Sequence, residues 1–301
     1  MTDIDRHTQG IVDRVTTRDG RQLYAMWLPG PETADRTTPT VVFEAGAGAT
    51  RSSWALVQPA VARHARAIVY DRSGLGNSAP DPGARTLSTM ADDLNDVLDH
   101  FAPGPFLLVG HSAGGPIVRL AAARRPDRIA GLVLVDPTDE AAESLFGAGF
   151  RRTERRMIAT AAVLARVGLL EVLYRKQIRA LPPDAGRDLK REGFGPGMAR
   201  TMRRQARTFL DELAAWRDNP PDDASIPVTV ISGGQAGDGM NATWRAEANA
   251  AHAHRAARAR HGRYVVGGRG GARGARPPPA GGGGGGGGEG GGGGGGGGII
   301  D

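Results

Sequence analysis

The residues of this chain whose types and spacing could do chemistry lie at 106–115, FLLVGHSAGG. Gly110, His111, Ser112, Ala113 and Gly114 fit the pattern G-x-S-x-G, behind the apolar run Phe106, Leu107, Leu108 and Val109 and ahead of a helix-compatible run over 116–124. Strand, sharp turn and helix in that order make a nucleophile elbow, which presents a serine hydroxyl where it can attack an acyl carbon. Small residues at Gly110 and Gly114 suit so cramped a turn, because a side chain at either would collide with neighbouring backbone. A plain structural turn would use the same glycines, and the flanking strand and helix decide for the elbow.

A second stretch bears on the same chemistry. Residues 39–44, PTVVFE, form a short buried strand that runs into Ala45, Gly46, Ala47, Gly48 and Ala49. Small residues there let a backbone N–H approach a reacting centre. Residues 71–78, DRSGLGNS, follow the strand at 67–70, and Asp136-Pro137 closes the apolar strand at 131–135.

These motifs need a scaffold, and the rest of the chain supplies its pattern. Residues 11–28 are two alternating runs about Asp19-Gly20 and predict a β-hairpin. Residues 87–101 are helical by period, with Leu87, Met90, Leu94 and Leu98 on one stripe. Strands alternating with helices argue for an α/β fold with a mostly parallel sheet covered on both faces. The alternation breaks over 138–225, which is helix-forming and arginine-rich and reads as an inserted helical cap. It resumes with a strand at 227–232, a helix over about 241–260 and a last strand at 263–266. The expected organisation is therefore a core from 1–137 and 226–266, a cap at 138–225 and a low-complexity, disordered tail at 267–301.

Composition bounds the function. With no cysteine there is no disulfide or thiolate metal site, and neither a metal nor an organic cofactor is implied. The N-terminus, MTDIDRHTQG, has no apolar signal stretch, which reads as cytoplasmic. The apolar stretch 157–174 contains Arg166 and Glu171, so a cap or core helix is expected there and no stable membrane insertion. The net charge of +6 is concentrated over 151–207, and its favoured reading is a solvated helix face, with anionic substrates or an anionic surface as the other. The segment around Arg269 and Arg273 has too few repeats and no interleaved aromatics for RNA, so no nucleic acid partner is expected.

Taken together, GHSAGG at 110–115, EAGAGA at 44–49, DRSGLGNS at 71–78 and LVLVDP at 132–137, in this order, resemble the α/β-hydrolase family over about residues 11–266. The resemblance implies Ser112 as nucleophile, an oxyanion hole from the N–H groups of Ala113 and Ala47, and acyl transfer through a Ser112 ester on a small acyl substrate. A serine at 112 departs from relatives that use a carboxylate nucleophile, the epoxide hydrolases and haloalkane dehalogenases. It leaves esterase, lipase, amidase, lactonase and cofactor-free perhydrolase chemistry open. For the acid the family offers two positions, Asp136 at its strand end, which is favoured, and Asp238 on the loop after the strand at 227–232; Asp71 reads as holding its own turn.

The family's catalytic histidine follows the last strand, and here no histidine follows His261. The sequence there is GGRGGARGARPPPA and then polyglycine, in which 17 of the 47 glycines fall. Each of the seven histidines reads as structural or solvated, with His111 turned away into packing. Without the base, turnover is expected to fall roughly a million-fold. The favoured reading of the tail's Arg, Gly, Pro and Ala is a frameshift near Val266 in a GC-rich gene, with a genuine low-complexity tail as the alternative. The closing helix is lost with it, which should leave one sheet face exposed. The readings are an impaired serine hydrolase and, alternatively, a ligand-binding pseudoenzyme of the same fold. Translating all three frames past codon 266 should reveal a Gly-His pair followed by an amphipathic helix; no such frame would make the tail native.

Overall fold

The computed structural model describes residues 7–34, 37–236 and 240–267, so Asp238 and the tail from 268 lie outside the described residues. Strands β1 (Ile11–Thr16) and β2 (Gln22–Leu28) form the expected antiparallel hairpin, with Thr16 opposite Gln22 and Gly20 at φ +85° in the connecting turn. Then come β3 (Thr40–Glu44), α1 (Gln58–Val61), β4 (Ala67–Tyr70), α2 (Leu87–His100), β5 (Phe106–His111), α3 (Gly114–Arg124) and β6 (Ile129–Val135). After a helical stretch the sheet resumes with β7 (Val228–Gly233), α10 (Ala242–Arg258) and β8 (Gly262–Gly267). The sheet order is β1-β2-β4-β3-β5-β6-β7-β8, with β2 antiparallel to both neighbours and every other pairing parallel.

Successive residues of the central strands enter different cores. Val42 of β3 packs with Leu108, Leu132 and the helix residues Leu94 and Ile117, whereas Val41 and Phe43 pack with Val69, Val109 and Trp54 on the other face. Near-continuous apolar runs are what a sheet covered on both sides requires. In α2 the Thr86 hydroxyl caps the helix by accepting from the Thr89 N–H, and Leu87, Met90, Leu94 and Leu98 are all buried on the expected stripe. No residue of β8 is buried, while β7 alternates buried with half-buried positions, so the closing edge is thinly covered.

Between β6 and β7 the described residues are helical or irregular: α4 (Ala148–Arg166), α5 (Leu170–Leu173), α6 (Arg175–Ala180), α7 (Pro183–Glu192), α8 (Pro196–Gln205) and α9 (Phe209–Ala215). The apolar stretch 157–174 is not one helix, because α4 stops before Gly168, whose φ of +69° turns the chain into α5. No helix among the described residues is long and apolar enough to cross a membrane. This helical segment is tied to the sheet by Arg51, which is fully buried. Its guanidinium donates to Asp71 at 2.7 Å, just beyond β4, and to Asp188 at 2.6 Å and Glu192, both on α7.

Leu94 carries none of the chemistry and all of this packing logic. Leu94→Ala should destabilise the fold by roughly 2 to 5 kcal/mol, because the lost transfer energy adds to an unfilled cavity. Urea unfolding of the variant against the parent checks it.

Candidate active site

Ser112 sits between β5 and α3 with φ of 51°, in the left-handed region that a residue with a Cβ seldom adopts. Three hydrogen bonds hold it there. Its N–H donates to the Val135 carbonyl at 3.1 Å, and its carbonyl accepts from the Gly115 N–H at 2.9 Å and the Thr138 N–H at 3.0 Å. The close approaches that forced glycine in the pattern are visible: a Cβ on Gly110 would lie 2.6 Å from the Gly114 carbonyl oxygen, and one on Gly114 would lie 2.7 Å from that of Glu44. Gly115 is equally constrained, since a Cβ there would lie 2.6 Å from Pro137 Cβ.

The chain leaving β6 is fixed as firmly. Asp136 has φ of 45°, and its N–H donates to the Ile231 carbonyl at 2.7 Å. Further on, Asp139 accepts from Arg255 of α10 at 2.9 Å, and Glu140 accepts from Arg119 of α3 at 2.7 Å. The loop after β3 is held by the buried Arg72, whose guanidinium donates to the Gly46 carbonyl at 2.5 Å, to the Ala45 carbonyl and to Glu44. Ala49 closes a turn on Gly46, with Gly48 at φ +66° inside it. Among the described residues, neither the Ala47 nor the Ala113 N–H donates to another protein group, and the Ser112 hydroxyl makes no hydrogen bond.

Ser112, Ala47, Ala113 and Asp136 line one cavity of about 440 Å³, roofed by Phe150, Met157 and Ile158 of α4. The structure thus brings together all four residues singled out in the sequence. Asp71 is not among them: it is fully buried and accepts from the Arg51 N–H at 2.8 Å and the Asn77 N–H at 3.2 Å, holding its own turn. Burial pushes its carboxyl up from the ordinary range, even beside Arg51.

Two cavity residues lay beyond the sequence motifs. Arg245 of α10 grips Asp136 in a two-pronged pair, 2.9 Å from Nη2 to Oδ2, with Nη1 on Oδ1. Burial raises the Asp136 carboxyl, but Arg245 outweighs it and the group lies below its usual range. About two turns further, His252 is buried between Ser232 and Pro137. The Pro137 carbonyl, 2.7 Å away, can only accept, so Nε2 carries the proton and Nδ1 accepts from the Ser232 hydroxyl at 2.6 Å. Arg245, Ala248 and His252 stand at helical spacing on one face of α10, a periodicity that could have marked them.

His111 corrects an expectation. Its ring does not turn into packing; it is exposed, lines the cavity and meets Trp54 edge-on at 6.3 Å between ring centres. The reason is position: His111 is the last residue of β5, on the same side as the buried Val109 and exposed where the strand ends. His261 precedes β8, and its carbonyl accepts from Val228 N–H at the end of β7 remote from Ser232.

Burial lowers the His252 imidazole below its usual 6.5, so it is neutral at pH 7 and the unfolded chain takes up its proton first as pH falls. Stability should therefore decline as pH drops below about 6.5 toward the native value. In long-range ¹H–¹⁵N spectra His252 should show the Nε2–H tautomer and hold it at pH 6.5; an imidazolium signature there would overturn the assignment.

Residues 39–167 match the family model described as alpha/beta hydrolase fold. A curated protein named for the carbamate hydrolase RutD, from Rhizobium rhizogenes, is 33% identical over 103 residues, 34% of this chain and 39% of that protein. One of the same name from Caulobacter sp. strain K31 is 36% identical over 123 residues, covering 40% and 43%. The chain thus spans about two fifths of the length of the curated relatives it matches. An alpha/beta hydrolase structure from Sphaerobacter thermophilus superposes with a TM-score of 0.54 at 23% identity, covering 84% of this chain and 91% of that one, a likeness of fold. The elbow at Ser112 and both flanking loops lie inside the matched segment, and with the sheet order that carries them the chain has the α/β-hydrolase fold.

Proposed function

We propose that this chain is built as a serine hydrolase of carboxylic esters or related acyl substrates, impaired by its C-terminal sequence. The observation that carries the reading is Ser112, held in a left-handed turn with its hydroxyl on the cavity that Ala47, Ala113 and Asp136 share. In this scheme the Ser112 oxygen bonds to the acyl carbon, and the N–H groups of Ala47 and Ala113 take the charge that develops on the carbonyl oxygen. The alcohol leaves with a proton, forming the acyl-enzyme. Water then cleaves that ester, giving the acid and restoring the serine. The helices over 138–225 act as the cap, with α4 shaping the acyl pocket. The carbamate hydrolase name of the relatives agrees with acyl chemistry of this type.

The missing component is the base. No histidine stands between His261 and Asp301, His252 has both nitrogens engaged by Pro137 and Ser232, and His111, which lines the cavity, makes no hydrogen bond to Ser112 among the described residues. Asp136 takes the role of triad acid in this reading, yet its carboxylate is held by Arg245. That pair is the specific observation favouring the second reading, a ligand-binding pseudoenzyme. A molecule with the Ser112 geometry and no base should be a poor nucleophile and not an inert one.

A fluorophosphonate probe should label the purified chain slowly and at Ser112 alone, and S112A should abolish it. Hydrolysis of 4-nitrophenyl acetate should run roughly a million-fold below that of an intact triad. A folded chain that shows neither labelling nor Ser112-dependent hydrolysis would favour the pseudoenzyme.

A further inference from the structure

The basic surplus over 151–207 has a specific location. A hollow of about 500 Å³ lies between α4 and α8, lined by Arg151 and Arg155 from α4 and by Arg203 and Arg207 at the end of α8 and just beyond it. Two carboxylates share it, Glu154 and Asp211, and Asp211 is already paired with Arg151 at 2.7 Å. Among the described residues no carboxylate stands within ion-pair distance of Arg155, Arg203 or Arg207. Burial pushes the Glu154 carboxyl up, even with Arg151 and Arg155 beside it.

Arg151 and Arg155 are spaced i, i+4 on α4, an arrangement of like charges that a helix disfavours. With Arg203 and Arg207 facing the same hollow, a bound anion would relieve the repulsion. Guanidinium groups also suit such a ligand, since each offers paired donors matching the oxygens of a carboxylate or phosphate. The hollow is not isolated from the chemistry, because Glu154, Ile158 and Ala206 line both it and the Ser112 cavity.

We propose that this arginine hollow is an anion subsite, and that the favoured substrates are acyl compounds carrying a second, oxyanionic group at the far end of the acyl chain. The acyl carbon then sits at Ser112 while the terminal carboxylate or phosphate lies among Arg155, Arg203 and Arg207. The substrate role rests on the serine hydrolase reading above; the anion subsite does not. A ligand spanning both would pass the shared wall of Glu154, Ile158 and Ala206.

Calorimetric titration of the full chain with monoethyl adipate, diethyl adipate and inorganic phosphate tests this without turnover. The charged half-ester should bind at least tenfold more tightly than the neutral diester, and added salt should erode the difference. In a variant combining R155Q, R203Q and R207Q the preference should vanish while diester binding holds. The pair R155Q and R203Q, with thermal melts, guards against a folding defect in the triple change. Equal affinity for the two esters with no phosphate binding, or a preference that survives in a folded variant, overturns the proposal. Phosphate bound and then lost in the variant supports an oxyanion subsite; phosphate bound with no half-ester preference rejects its substrate role. Failure of fluorophosphonate labelling at Ser112 with the preference intact would count against the hydrolase reading alone.

Discussion

The geometry at Ser112 depends on a backbone constraint: strand β6 and the chain leaving it grip the elbow from both sides. Val135 accepts the Ser112 N–H and Thr138 donates to the Ser112 carbonyl, so the serine's left-handed φ is fixed by a neighbouring strand and not by its own preference. A conformation of that kind costs of order 1 to 3 kcal/mol and persists only where its surroundings over-determine it. Here they do. Asp136 adopts the same unusual region, and Asp139 and Glu140 are anchored by Arg255 and Arg119, so the stretch that holds the elbow is itself pinned to α10 and α3.

The same economy governs the loop after β3. A buried guanidinium is costly unless its donors find acceptors, and Arg72 sets Nη1 on Glu44 and the Ala45 carbonyl and Nη2 on the Gly46 carbonyl, with Nε left without a partner. Engaging the carbonyls fixes the peptide planes of the loop, and with them the direction of the Ala47 N–H. Preorganised donors of this type act without reorganisation when charge appears. The helix α10 plays the opposite part. It brings Arg245 and His252 into the cavity, where each is satisfied by a partner within the protein.

How much of this was legible in the sequence follows from what kind of information each feature needs. Short continuous apolar runs such as Phe106 to Val109, bounded by turn residues, read as buried strands, and the α2 stripe fixes its inner face by period, so the parallel sheet and the elbow were readable. The glycines at 110 and 114 were readable for the same local reason, crowding within a few residues. Pairing between Asp136 and Arg245 joins positions 109 apart in the chain, and only the docking of α10 on the sheet decides it. The direction of His111 and the break of the 157–174 stretch at Gly168 were likewise settled by how neighbouring elements cover one another. The arginines at 151, 155, 203 and 207 read as a solvated face one helix at a time; the hollow exists only once α4 and α8 lie side by side.

Arg51 has a consequence for autonomy. One fully buried cation is shared between Asp71, which belongs to the sheet, and Asp188 and Glu192, which belong to α7. Charges so deeply desolvated cannot be left without their counterpart except at great cost. The helical segment is thus not a module that evolution or an engineer could lift out or exchange whole: it would depart with two carboxylates and leave their cation behind. Any transplanted replacement must bring acidic residues to the same place, or the host must give up Arg51 with it.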